Sequence, residues 1–118
     1  LISQQAKDEA LKQKAVSPDY AQMAANPENY DGQLLAYTGF LVGKEDAAGE
    51  WILRLALEKT ETGFANEMIV TAESDPGFAV GSRVRFYAYL VGKNIGKNAA
   101  GEEEILPKLQ LALMDAVM

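Results

Sequence analysis

From Asp31-Gly32 onward, apolar side chains recur at every second position. Leu35, Tyr37, Gly39 and Leu41 alternate with Leu34, Ala36, Thr38, Phe40 and Val42, which predicts a strand of about ten residues. Residues 51–57 alternate again, with Leu53, Leu55 and Leu57 on one face and Ile52, Arg54 and Ala56 on the other. A short β-branched strand follows at 67–72 around Ile69 and Val70. Residues 83–91 give the longest clean alternation: Val84, Phe86, Ala88 and Leu90 inward, with Arg83, Arg85, Tyr87, Tyr89 and Val91 outward. The last strand spans 105–117, with Pro107 near its start, where a missing N–H is tolerated. Polar, glycine-bearing stretches at 44–49, 58–66, 74–77 and 93–104 are expected to be turns and loops.

Ahead of these strands the period is helical. Residues 3–15 are rich in Ala, Gln, Lys and Glu, with a sparse apolar stripe of Ile2, Ala6, Ala10 and Leu11, and predict a polar helix. Ser17 as N-cap and Pro18 at the first helical position predict a second, short helix over 18–25. Tyr20, Met23 and Ala24 share one face of it, and Asn26-Pro27 ends it. Two short helices and five strands around one core of Leu, Val, Ile and Phe suit a small Greek-key barrel, with an open sandwich as the alternative. Gly39, in mid-strand, is where such a barrel needs a sharp bend. The expected organisation is a polar helix or linker over 1–16 and a barrel domain over 17–118.

Composition narrows the chemistry. The 118 residues suffice for one domain. Without His or Cys there is no Ser-His-Asp or Cys-His catalysis, no His- or Cys-ligated zinc, no iron–sulfur cluster and no disulfide. A formal charge of -6 disfavours general binding to phosphate backbones. Residue 1 is Leu, and no charged or apolar leader follows it, so the chain is expected to be a mature or trimmed piece, or simply to start where it was cloned.

The segment Asn26-Pro27-Glu28-Asn29-Tyr30-Asp31-Gly32, followed by Tyr37-Thr38-Gly39, resembles the opening of OB-fold domains found in bacterial lipoproteins, a group similar to tRNA-anticodon-binding-like OB domains. Gly81-Ser82-Arg83-Val84-Arg85-Phe86-Tyr87 is similar to the fourth strand of that group, and Gly92 and Pro107 match its approach to the fifth. Ala88 stands where the group usually has Gly, and Leu34 and Phe40 where Lys is common. The resemblance implies an extracytoplasmic, lipid-anchored binding or interaction module with no catalytic residue and no cofactor. Its lipidated Cys would lie upstream of this chain.

Three catalytic or ligand motifs are weighed and set aside. Gly92-Lys93-Asn94-Ile95-Gly96-Lys97 follows a strand but lacks the spacing of a phosphate loop, the Ser/Thr after Lys and the following helix. Glu102-Glu103-Glu104 has no cation-loop spacing, and consecutive loop carboxylates diverge. No spacing singles out a carboxylate pair for hydrolysis, so no enzyme and no metal are expected.

The usual OB face implies ligand contacts from Lys44, Trp51, Arg54 and Phe64 and from Lys93 and Lys97 on the last long loop. Outward Tyr87 and Tyr89 beside Arg83 and Arg85 form a second aromatic and basic face of the kind on which bases stack. The outward row of Leu34, Phe40, Val42, Tyr87, Tyr89 and Val91 is too apolar to stand in water. It is expected to be covered by the 18–25 helix or by a second copy of the chain. A protein or small ligand is therefore the expected partner and nucleic acid a disfavoured one. Single-stranded nucleic-acid binding is kept as the alternative function.

Overall fold

The two-residue period becomes five strands: β1 (Leu34–Ala47), β2 (Glu50–Thr60), β3 (Gly63–Ala72), β4 (Arg83–Lys97) and β5 (Glu103–Ala116). Two helices, α1 (Gln4–Lys14) and α2 (Tyr20–Ala25), and a 3₁₀ turn (Pro27–Tyr30) precede them. The computed structural model describes residues 4–97 and 103–117. The strands close in the order β1-β2-β3-β5-β4, and β4 returns to β1. All pairs are antiparallel except β3 with β5, parallel over Ile69–Thr71 and Lys108–Gln110. This is a mainly β, five-stranded OB-type Greek-key barrel.

β1 serves two neighbours in turn. Its first half pairs with β4, from Leu34 opposite Tyr89 to Phe40 opposite Arg83, and its second half pairs with β2, from Phe40 opposite Ala56 to Ala47 opposite Glu50. The handover falls at Gly39, where a Cβ would stand 2.5 Å from the Ala56 carbonyl oxygen. Only glycine lets the β2 backbone come that close.

The inward register follows the alternation. Leu35, Tyr37, Leu41, Leu53, Leu55, Val84, Phe86, Leu90 and Leu109 are buried, and Leu57 and Leu111 are half-buried against them. Met23 of α2 joins the same core and is fully buried.

Two local expectations give way. The predicted turns and loops at 44–49, 58–66 and, in its described residues, 93–104 are largely strand: β1 runs to Ala47, β2 and β3 run to a turn at Glu61-Thr62, while β4 and β5 extend to Lys97 and Glu103. Two antiparallel strands satisfy each other's N–H and C=O groups, so a hairpin arm persists where alternation has faded. Ser17 is also not an N-cap. Its Oγ donates to the Ala36 carbonyl at 2.6 Å, and α2 starts only at Tyr20, with Asp19 before it. Because β2 begins to pair only at Phe40, the edge of β1 at Leu34–Ala36 is open, and Val16 fills it. The Val16 N–H bonds the Leu34 carbonyl and the Ala36 N–H bonds the Val16 carbonyl. An unfilled strand edge outweighs a local cap.

Tyr37 ties this lead-in segment to the core. Its hydroxyl donates to the Pro18 carbonyl at 2.7 Å, and its ring lies 6.2 Å from that of Phe86. Burial, with Tyr30 and Asp19 adding to it, pushes its phenol up to about 12. The fold thus favours the neutral phenol. Its contribution is whole below about pH 10, where an unfolded tyrosine would ionise, and is lost as the pH rises toward 12. In an ultraviolet titration Tyr37 should ionise only as the pH approaches about 12. Tyr37→Phe should flatten the loss of stability between pH 10 and about 12.

Candidate functional site

Of the residues expected on the usual OB face, Lys44 and Trp51 meet, while Arg54, Phe64 and Lys93 have other neighbours, and Lys44 and Arg54 are each engaged with a carboxylate. Lys44 Nζ donates to both carboxylate oxygens of Asp75 at 3.1 and 3.2 Å and to the Phe78 carbonyl at 3.0 Å. It also lies 5.8 Å from the centre of the Trp51 ring. Lys44 and Trp51 thereby clasp the β3–β4 connection against the barrel. The Asp75 carboxyl is held below the ordinary carboxylate range, first by the Gly77 N–H and then by Lys44. Arg54 forms a two-pronged pair with Glu67, Nε to Oε1 at 2.7 Å and Nη2 to Oε2 at 3.0 Å. Phe64, partly exposed, leans on Phe40 with ring centres 5.8 Å apart. Lys93 stands exposed at the base of the β4–β5 arm beside Glu28 and Asp31. Lys97 pairs through its backbone with Glu103, and its side chain lies outside the described residues, as does Glu102.

Charge is sorted around the barrel. The β1–β2 and β2–β3 side carries Glu45, Asp46, Glu50, Glu58, Glu61 and Glu67. A shallow groove of about 430 Å³, where β3 and β5 part, is lined by one charged residue, Glu73, among apolar and neutral ones. Among the described residues no group of acidic side chains is arranged to hold a metal ion.

The far side of the barrel, where β4 lies between β1 and β5, is different. Along β4, Arg83, Arg85, Tyr87 and Tyr89 point outward in alternation, about 7 Å apart along the strand. Arg83 is exposed and makes no ion pair among the described residues. The Arg85 guanidinium lies 5.5 Å from the centre of the Tyr87 ring and donates to Thr38 Oγ1 at 3.3 Å. Tyr89 is 37% exposed. Lys12 of α1 adds a cation here, and Asp115 of β5, opposite Arg85, adds a carboxylate.

The outward apolar row is divided. Leu34 and Tyr87 are buried, in one cluster with Ala36, and Leu11 and Ala15 pack on it together with Leu113 of β5. The cover is therefore α1 and not the 18–25 segment, whose Met23 and Tyr20 turn into the main core. Phe40 and Val42 are half-buried, and Tyr89 and Val91 remain exposed. The polar composition of α1 hid this role. The only signal for it was Leu11 with Ala15 four positions on.

No known protein-family profile and no curated protein matches the chain. Its fold is similar to solved structures. One is the mitochondrial single-stranded DNA-binding protein Rim1 of Saccharomyces cerevisiae, at a TM-score of 0.51 and 13% identity over 74% of this chain and 96% of that one. Another is a small single-stranded DNA-binding protein from Streptomyces coelicolor, at 0.51 and 14% identity over 74% and 95%. At such identities the likeness is one of fold, and it establishes the OB domain.

Two expectations are corrected. The reading as an interaction module for a protein or small ligand gives way, because the similar solved structures are named for single-stranded DNA binding. The placing of nucleic acid as a disfavoured partner is withdrawn with it. The physical reason lies in where the charges sit. A total of -6 is a sum over the whole chain, whereas salt screens fields beyond about 8–10 Å, so a strand meets the local charges, here Arg83 and Arg85 on β4.

Proposed function

We propose that this chain is a non-catalytic OB domain that binds single-stranded nucleic acid along the outer face of β4. The observation that carries the reading is the Arg83–Arg85–Tyr87–Tyr89 row. It sets two cations for phosphates on the same strand face as the partly exposed ring of Tyr89 for a base. The fold shared with proteins named for single-stranded DNA binding supports it. So does the state of the usual OB face, where Arg54 and Lys44 are each tied to a carboxylate.

Fluorescence anisotropy with a labelled thymidine oligonucleotide tests the reading. Affinity should fall with salt along a log–log slope of about -1.5, since each neutralised phosphate on a single strand contributes roughly -0.7. Duplex of the same length should bind more weakly, because stacked bases offer no faces to the tyrosines. Absence of binding at low salt, or binding indifferent to salt, would overturn it.

A further inference from the structure

The row on β4 is interrupted at its centre. Arg83 is exposed and Tyr89 partly so, but Tyr87 between them is only 8% exposed, because α1 lies over it. We propose that Tyr87 is a second base-stacking position, hidden beneath α1 and opened when that helix lifts. This rests on the single-strand reading and adds a regulated site to it.

The cover is lightly held. The helix Gln-Gln-Ala-Lys-Asp-Glu-Ala-Leu-Lys-Gln-Lys contributes one large apolar side chain, Leu11, to the cluster, and the residue just beyond it, Ala15, contributes a methyl group. Its ion pair, Lys12 Nζ to Asp115 Oδ2 at 3.1 Å, is solvent-accessible, with side chains 31% and 44% exposed, so salt weakens it. An 11-residue helix of this kind is marginal by itself and depends on what it lies against. Tyr87, by contrast, is fixed in the closed barrel, with Ala36 of β1 on one side and Leu113 of β5 on the other. Helix departure is thus a local opening that leaves the barrel whole.

What departure uncovers is suited to an unpaired base. Tyr87 lies one same-face step, about 7 Å along the strand, from Tyr89. Arg85, which stays with β4 when the helix leaves, lies 5.5 Å from the centre of the Tyr87 ring and supplies a cation beside it. A single strand crossing the row would stack on two successive tyrosines instead of one. It would also compete for Lys12, now shared between Asp115 and the Tyr87 ring.

The test is Leu11→Ser in the full chain, a neutral change that loosens the cover without touching the barrel core. Tyrosine nitration followed by peptide mapping should show Tyr87 modified several-fold faster than in the parent chain, with Tyr37 unchanged as an internal control. Thymidine oligonucleotides should bind roughly fivefold tighter, the lower end of what one stacked base contributes. They should also protect Tyr87 from nitration. Adding Tyr87→Leu should erase the gain in affinity. Leu11→Ala is the milder second variant should Leu11→Ser lower the melting temperature of the barrel. Unchanged nitration of Tyr87 in both variants would overturn the cover. Faster nitration with unchanged affinity would overturn the stacking site while leaving the single-strand reading in place. No oligonucleotide binding by any of the chains would overturn that reading itself.

Discussion

Truncating Phe86 to Ala should cost about 3–5 kcal/mol and lower the melting temperature by roughly 12–20 °C, given about 4 °C per kcal/mol for a domain near this size. Phe86 is the largest fully buried side chain of the barrel. It sits on β4 opposite Tyr37 of β1 and Met114 of β5, so its removal opens a cavity touching three strands. A closed barrel collapses poorly around such a hole, because each wall is held by hydrogen bonds to two neighbours. The loss is a large share of the roughly 5–15 kcal/mol that a domain of this kind has in total. Val80→Ala, at a side chain 56% exposed, is the matched control and should change little. A cost below about 1 kcal/mol for Phe86→Ala, read by thermal or urea unfolding, would contradict a packed barrel interior.

Reversing both arginines of the outer row, Arg83→Glu with Arg85→Glu, should weaken oligonucleotide binding at least about 100-fold near 0.1 M salt. The salt slope should drop by about 1.5 as two phosphate contacts disappear. Folding should weaken measurably but leave the barrel intact. Arg83 is exposed, and Arg85 gives up one hydrogen bond to Thr38 and its place over the Tyr87 ring, together worth about 1–2 kcal/mol. Lys59→Glu, on the acidic side of the barrel, makes the same change in total charge as Arg83→Glu alone. If the local field governs binding, the single Arg83 variant should bind several-fold more weakly and the Lys59 variant close to normally. Equal losses would mean that only total charge matters, and the outer row would then have no special role.

Much of the barrel was legible in the residue pattern. The alternation from Leu35 to Leu41 and from Val84 to Leu90 placed the inward faces correctly, because one buried face imposes a strict two-residue period. Gly39 could be read as a bend for a related reason, since a lone glycine in an apolar strand signals a close backbone approach, here to Ala56. The β4–β5 arm could not be read in this way. Its strands from Gly92 to Lys97 and from Glu103 pair chiefly with each other. A ribbon stabilised by backbone pairing leaves no such trace in side-chain polarity. Ser17-Pro18 misled for the opposite reason. The local signal for a helix start was sound, but an open edge of β1 nineteen residues away took the serine hydroxyl.

The candidate site was half legible. The tyrosines and arginines of β4 share a face by parity alone, so the sequence itself determined the row and its chemistry. The sequence also determined the inward core, the absence of His and Cys chemistry and the polar character of α1. Only the tertiary structure decided that Lys44 is held by Asp75 and Arg54 by Glu67, and that α1 lies across Tyr87. The physical reason is the range of the forces involved. Periodicity is written within a few residues and is imposed by a single buried face. The partner of a charge and the cover of a ring are instead set by segments that meet only when the barrel closes, Lys44 with Asp75 across 31 residues and Leu11 with a ring on β4.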